Sequence, residues 1–198
     1  MTRDPLAQAE SFAPIVGPEP RALILGSMPG QASLRAQRYY AHPRNALWPI
    51  LGELIGFDAA GLTYEARLAR AVAAGIALWD VAHRCHRPGS LDAAMRDVEP
   101  NDIPGLLGRT PTIQRIACNG AKAHELLTRA FRSPLASDFA GVQILRLPST
   151  SPAHASAPFE AKLAAWRDAL APCIRTPASL HRSPERPDPV GNPVPRPR

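Results

Sequence analysis

Three stretches of this chain carry side chains suited to chemistry on a flat, polar ligand. The first is Gly26-Ser27-Met28-Pro29-Gly30, followed by Tyr39-Tyr40-Ala41-His42-Pro43-Arg44-Asn45. Glycines at 26 and 30 let backbone N–H groups crowd one point, which suits an anion or a developing negative charge. Tyr40 offers a stacking surface, and Asn45 offers both a donor and an acceptor. A turn, a ring and an amide together read as a nucleobase pocket. The second stretch runs from Trp79-Asp80 through His83-Arg84-Cys85-His86-Arg87-Pro88-Gly89-Ser90-Leu91-Asp92. Asp80 ends an apolar run there. It either accepts from a ligand or pairs with Arg84 or Arg87. The third is Pro148-Ser149-Thr150-Ser151-Pro152, whose hydroxyls and turn N–H groups suit phosphate contacts.

With these segments in this order, the chain resembles the uracil-DNA glycosylase superfamily. The nearest branches are the hypoxanthine (deoxyinosine) glycosylases and the mismatch-specific uracil/thymine glycosylases. The resemblance spans about 21–170. It implies a three-layer α/β/α domain with a central, mainly parallel four-stranded sheet. It also implies a monofunctional DNA glycosylase of base excision repair, hydrolysing the N-glycosidic bond of hypoxanthine, with uracil as a second candidate. Such an enzyme flips its target nucleotide into a pocket and requires no metal or cofactor. In the hypoxanthine branch, the asparagine of the His-Pro-x-Asn segment is implicated in catalysis, which points to Asn45. Asn45 also precedes Ala46-Leu47-Trp48, so a helix cap is another use for it, and the two roles can coexist. Asp80 stands where several branches carry an edge-reading Asn. A carboxylate accepts only, and hypoxanthine has an N1–H to give.

The base pocket is expected from Gly26, Ser27, Met28 and Tyr40, and the phosphate contacts from Pro148, Ser149, Thr150 and Ser151. Tyr40 either stacks on the base or joins the core, and one of the Tyr39–Tyr40 pair must turn inward. His42 either touches phosphate or supports the Pro43 turn. Two positions depart from the family pattern. Met28 replaces an Asn that positions water in the mismatch and thymine branches. Leu147 stands where other branches place His or Asn. His154 substitutes for that group only if its loop folds back. Asn119-Gly120 reads as a turn and cap. The departures at 28 and 147 motivate an alternative: a catalytically weak or inactive damaged-DNA-binding module of the same fold.

The elements that position these residues follow from hydrophobic patterning. Short apolar runs at 21–25, 76–81, 113–118 and 142–147 read as buried parallel strands. Helical stretches lie between them. One runs 63–74 with Thr63 as cap and Gly75 as stop, and another runs 121–131. The last has Ser156 as cap, Pro158 in its first turn, and a stripe of Phe159, Leu163, Trp166 and Leu170. Strand–helix alternation gives an α/β class. The first turn therefore lies at the carboxyl end of a strand, where open α/β sheets bind ligands. Residues 1–20 read as an N-terminal extension, 21–172 as the domain, and 173–198 as a Pro/Arg-rich disordered tail.

Composition narrows the partners. The 198 residues carry a net charge of +6 and a pI near 9.9, favouring a polyanion. Arginine supplies all but Lys122 and Lys162 of the 23 basic residues. Uniform Arg usage is better read as a genomic bias than as a function. Cys85, Cys118 and Cys173 are too few for a disulfide framework or for the four thiolates of an iron–sulfur cluster. His83, Cys85 and His86 lack the further ligands of a zinc site. No Gly-x-x-x-x-Gly-Lys phosphate loop and no Gly-x-Ser-x-Gly elbow is present, which argues against an unrelated nucleotide-binding or hydrolytic domain. No apolar run reaches bilayer length and the start lacks a signal core. The expectation is a monomeric cytoplasmic protein, nucleoid-associated through DNA that contains deaminated bases.

Overall fold

The structure is a computed structural model that describes residues 8–153 and 157–175. The first half contains β1 (Gln8–Glu10), β2 (Ala22–Gly26), α1 (Gln31–Ala36), α2 (Leu47–Ile55), α3 (Tyr64–Ala73), β3 (Ile76–Asp80) and β4 (Ala82–His86). The second half contains β5 (Arg96–Pro100), α4 (Ile103–Arg109), β6 (Arg115–Asn119), α5 (Ala121–Ser137), β7 (Gln143–Leu147) and α6 (Phe159–Leu170). Four strands form one parallel sheet in the order β3-β2-β6-β7. Every residue of β2 and β3 is buried, as near-continuous apolar runs in a covered parallel sheet should be. Helices α2, α3 and α6 pack together in one layer, and α4 packs with α5 in the other. The domain is a three-layer α/β/α fold.

After β2 the chain crosses first to β3 on one side and then to β6 on the other. The carboxyl ends of β2 and β6, at Gly26 and Asn119, thus flank a topological switch point, where a crevice opens. The helix signals work as their chemistry requires. Thr63 Oγ1 accepts from Ala66 N–H at 3.2 Å, and Gly75 takes φ +88° beyond α3. Helix α5 continues to Ser137, but it bends at Phe131, where its expected end lay, with Pro134 just beyond. Pro158 is the cap residue of α6 rather than a member of its first turn. Ser156, expected in that role, lies outside the described residues, as does His154.

A second sheet was not expected. Strands β1, β4 and β5 form it, antiparallel, in the order β1-β4-β5. Their sequences are short and polar, and the β4–β5 register slips twice, so no clean period-2 signal exists. Its first strand lies within the stretch read as an extension. Ile15 exchanges two backbone hydrogen bonds with Leu78, both at 2.9 Å, and the Phe12 carbonyl accepts from Trp79 Nε1 at 3.0 Å. The body therefore begins by Gln8, and the expected boundary at 21 falls inside it. At the other end Cys173 is fully buried and Arg175 pairs with Glu19 at 2.8 Å, so the body runs past Pro172. Residues 176–198, most of the expected tail, lie outside the described residues. No described helix is long and apolar enough to cross a membrane.

Candidate base-binding site

A pocket of about 350 Å³ opens above the switch point. This is within the usual ~300–1,000 Å³ of small-molecule sites. Gly26, Ser27, Met28, Tyr40, Asn45, Asp80, Ser149 and Ser151 all line it. The structure thus brings together eight of the ten residues expected from sequence. Thr150 and Pro148 stand apart. Thr150 is 1% exposed; its N–H donates to Asn119 Oδ1, and its Oγ accepts from Asn119 Nδ2, both at 2.8 Å. Thr150 therefore bolts the loop to the end of β6 and has no face for a phosphate. The Pro148 carbonyl accepts from Trp166 Nε1 at 3.0 Å, which ties the loop to α6. Asn119, expected only as a turn residue, is the loop's main brace. It also lines the pocket.

The aromatic pair divides its roles. Tyr39 is the inward member, packed edge-on against Phe12 at 5.2 Å, with its hydroxyl donating to the carbonyls of Phe12 and Ala13. Tyr40 is half-buried on the pocket wall, in the left-handed region at φ +54°. Such a conformation is costly for a bulky residue and is kept where the surroundings enforce it. Its hydroxyl is buried beside the Asn119 side chain, without a hydrogen bond of full geometry. Burial first, and the Asp80 carboxyl second, push its pKa up.

Asn45 lies one residue before Ala46, the N-cap of α2, and it faces the pocket while making an Asx turn into the helix. Its Oδ1 accepts from Leu47 N–H at 3.0 Å, starting α2. The amide nitrogen takes no part in that turn. The next residue, Ala46, donates its N–H to the Thr150 carbonyl at 3.0 Å, so the first and third segments are joined at the backbone. His42 Nδ1 accepts from Arg44 N–H at 3.1 Å, supporting the Pro43 turn, while the ring remains on the pocket wall.

Asp80 is the electrostatic centre of the site. It is 3% exposed, and its Oδ2 is buried without a hydrogen-bond partner. Its pKa is pushed up to about 8, by burial first; Arg87 pulls it down and Asp92 adds to the rise. At neutral pH the group is therefore mostly a carboxylic acid, able to donate as well as accept. Asn101 fixes the chain at this point. Its side chain donates to the carbonyls of Asp80 at 2.9 Å and Ala82 at 3.2 Å, and its backbone N–H donates to Val81. A single Asn after a polar strand gave no signal of that role.

Glycine at 26 proves necessary for a different reason than expected. A Cβ there would lie 2.2 Å from Asp80 Oδ1 and 3.4 Å from the Tyr40 hydroxyl. Gly26 makes room for the carboxyl. Gly30 has an ordinary φ of −70°, and a Cβ there would meet nothing nearer than 3.6 Å, so the pocket does not need glycine at 30. Of the two arginines considered as partners for Asp80, Arg84 turns to Glu10 and Glu99 on the small sheet. Arg87 is the buried one. Met28 is buried and Leu147 closes β7, both apolar. Among the described residues no three His, Cys, Asp or Glu side chains converge as a metal site. His83 and His86 are half-buried on β4, and Cys85 between them is buried.

A pocket at the switch point of a parallel sheet, with a ring and a buried carboxyl on its walls, defines an α/β domain with a ligand crevice at its strand ends. Residues 13–170 match the family described as the uracil DNA glycosylase superfamily. The chain belongs to that superfamily and is a DNA glycosylase. A hypoxanthine DNA glycosylase of Methanosarcina barkeri (strain Fusaro / DSM 804) is 36% identical over 116 residues, 59% of this chain and 73% of the relative. Another, from Methanosarcina acetivorans, is 38% identical over 114 residues, 58% of this chain and 72% of the relative. A solution NMR structure of a Methanosarcina acetivorans protein, proposed to be a uracil DNA glycosylase, superposes with a TM-score of 0.72 at 31% identity. That match covers 84% of this chain and 98% of the other.

Proposed function

We propose that the chain releases hypoxanthine from DNA by hydrolysing its N-glycosidic bond, with uracil as a weaker substrate. The observation that carries this reading is the buried Asp80 carboxyl in the pocket lining, whose Oδ2 has no hydrogen-bond partner. As an acid it accepts from the N1–H of hypoxanthine and donates to O6, satisfying both atoms of the edge that deamination creates. Uracil has the same N–H beside a carbonyl, so Asp80 admits it, and the larger purine ring makes more of Tyr40. Stacking on an aromatic side chain is worth about 1–3 kcal/mol per base. The two hypoxanthine DNA glycosylase relatives support the same preference.

In this reading Asn45 acts on the bond being broken. Its Oδ1 is held by Leu47 N–H, which orients the amide, and its NH₂ can hold the attacking water or the departing base. Because Met28 and Leu147 bring no polar group to the pocket, this amide carries the role that those positions have elsewhere in the superfamily. Ser149 and Ser151, on the loop bolted by Asn119, would meet the DNA backbone.

The test is release from duplex oligonucleotides carrying one hypoxanthine, uracil, xanthine or ethenocytosine. Alkali-sensitive abasic product is expected fastest with hypoxanthine and more slowly with uracil. Specific binding to the hypoxanthine duplex without any abasic product would instead support the damaged-DNA-binding alternative.

A further inference from the structure

Four consecutive carbonyls of the pocket turn are all engaged from one side. Val81 N–H donates to the Gly26 carbonyl at 2.9 Å, and Ala82 N–H to the Ser27 carbonyl at 3.0 Å. The backbone ladder ends there. For the next two residues a single side chain takes over. Arg87 Nη1 donates to the Met28 carbonyl at 3.5 Å, and Nη2 donates to the Pro29 carbonyl. Arg87 is 1% exposed, so it cannot be a solvated surface cation. A guanidinium this deeply buried persists only when paired and hydrogen-bonded. Its counter-charge is Asp92, 3.8 Å from Nη1, and the same Asp92 oxygen accepts from Ser27 Oγ at 2.8 Å. Ser90 Oγ accepts from Gln31 N–H at 2.9 Å, so residues 87–92 form a strap across the turn.

We propose that Arg87 is the positioning residue of the base pocket, with Asp92 as its anchor. The guanidinium draws the Met28 and Pro29 carbonyls out of the pocket, so their negative ends do not face the leaving base. The N–H groups of Ser27, Met28 and Gly30 are left as the turn's contribution to the site. Arg87 touches neither substrate nor the reacting bond. It acts through the turn, and through the turn's fixed distance to Asp80.

The side chain's charge and its shape have separable effects. The titratable groups around Asp80 are Arg87 and Asp92 on the strap, Tyr39 and Tyr40 on the preceding loop, and His42 on the pocket wall. Arg87→Lys keeps the positive charge but loses the fork that reaches two carbonyls. Arg87→Met loses both. Asp92→Asn keeps an acceptor for Ser27 and loses the negative charge.

The experiment is single-turnover base release from a hypoxanthine duplex across pH 5.5–9.5, with DNA Kd and thermal melting measured in parallel. It rests on the substrate reading above, and wild-type release in the same assay separates failure of that reading from failure of this one. Arg87→Lys is expected to slow release about 10²-fold, the scale of a small misplacement of reacting groups. Its Kd and the midpoint of the alkaline limb should stay unchanged. Arg87→Met should lose as much and move that midpoint upward. Wild-type release by Arg87→Lys would overturn the proposal, as would a loss that vanishes at temperatures where the variant is fully folded. If the Arg87 variants do not fold, Asp92→Asn decides: with the anchor of Arg87 lost, release should slow while Kd holds, and release at the wild-type rate overturns the proposal.

Discussion

Asp80→Asn replaces a buried acid by a neutral group of nearly the same shape, and its effect on stability can be worked from the structure. The carboxyl titrates near 8 in the folded protein, against 3.8 when exposed, chiefly because burial penalises its charge. Between those two values the folded state holds a proton that the unfolded chain has released. Stability therefore falls as pH rises across this window, the opposite of the usual salt-bridged carboxylate. The slope is about 1.4 kcal/mol per pH unit for one proton. From pH 5 to pH 7 the wild type should lose about 3 kcal/mol relative to Asp80→Asn, and the difference should level off above about pH 8. Urea unfolding of both proteins at pH 5, 6, 7, 8 and 9 measures this directly, because other titrating groups cancel in the difference. A wild-type-minus-variant difference that is flat with pH would refute the buried, protonated carboxyl. The same variant tests recognition. An amide presents one donor and one acceptor, as the acid does, so hypoxanthine release near pH 7 should persist and should no longer decline above pH 8. Loss of release at every pH would give Asp80 a role in activating water instead.

The other expectations follow from single contacts. Gly26→Ala drives a methyl into Asp80 Oδ1, so it should cost about 1–3 kcal/mol of stability and most base release, whereas Gly30→Ala should match wild type in both melting and activity assays. A chain ending after Arg175 should melt with the full-length protein. One ending after Pro172 loses buried Cys173 and the Arg175–Glu19 pair, and should melt lower, by about 2–4 °C for each kcal/mol lost. EDTA should leave base release unchanged, since Asn45, Asp80 and backbone groups make up the proposed machinery; loss restored by zinc would contradict this.

The residues that touch the ligand space were legible because each sits beside a strong local signal. Gly26 and Asp80 end the two most apolar strands, and Tyr40 and Asn45 lie in a Pro-punctuated loop before a helix. The four parallel strands were legible for the same reason: buried strands read as continuous apolar runs. Less legible was the support behind the pocket, where Arg87 was read only as a partner for Asp80 and Asn119 only as a turn residue. Arg87, Asp92, Asn101 and Asn119 act through contacts with residues far away in sequence, such as Asn101 with Asp80 and Asn119 with Thr150. Polar residues in polar segments give no periodicity, so such braces cannot be told from surface positions. The small antiparallel sheet was hidden likewise, its strands being short and its register irregular. The raised pKa of Asp80 was not legible because burial, which sets it, is a property of the packed sheet and not of the residue type.

The central claim is that this pocket breaks the glycosidic bond of deoxyinosine with Asn45 as the acting side chain. Its most direct test is single-turnover detection of free hypoxanthine and abasic DNA with wild type and Asn45→Ala, beside the thermal melting of both. Losing the turn to Leu47 N–H should cost about 1 kcal/mol of stability. Losing a transition-state contact should slow release 10²–10³-fold, about 3–4 kcal/mol. The account predicts a folded variant, slightly less stable, that binds the duplex and scarcely releases base. A variant that melts earlier but releases hypoxanthine at the wild-type rate would reduce Asn45 to a helix cap and contradict the claim.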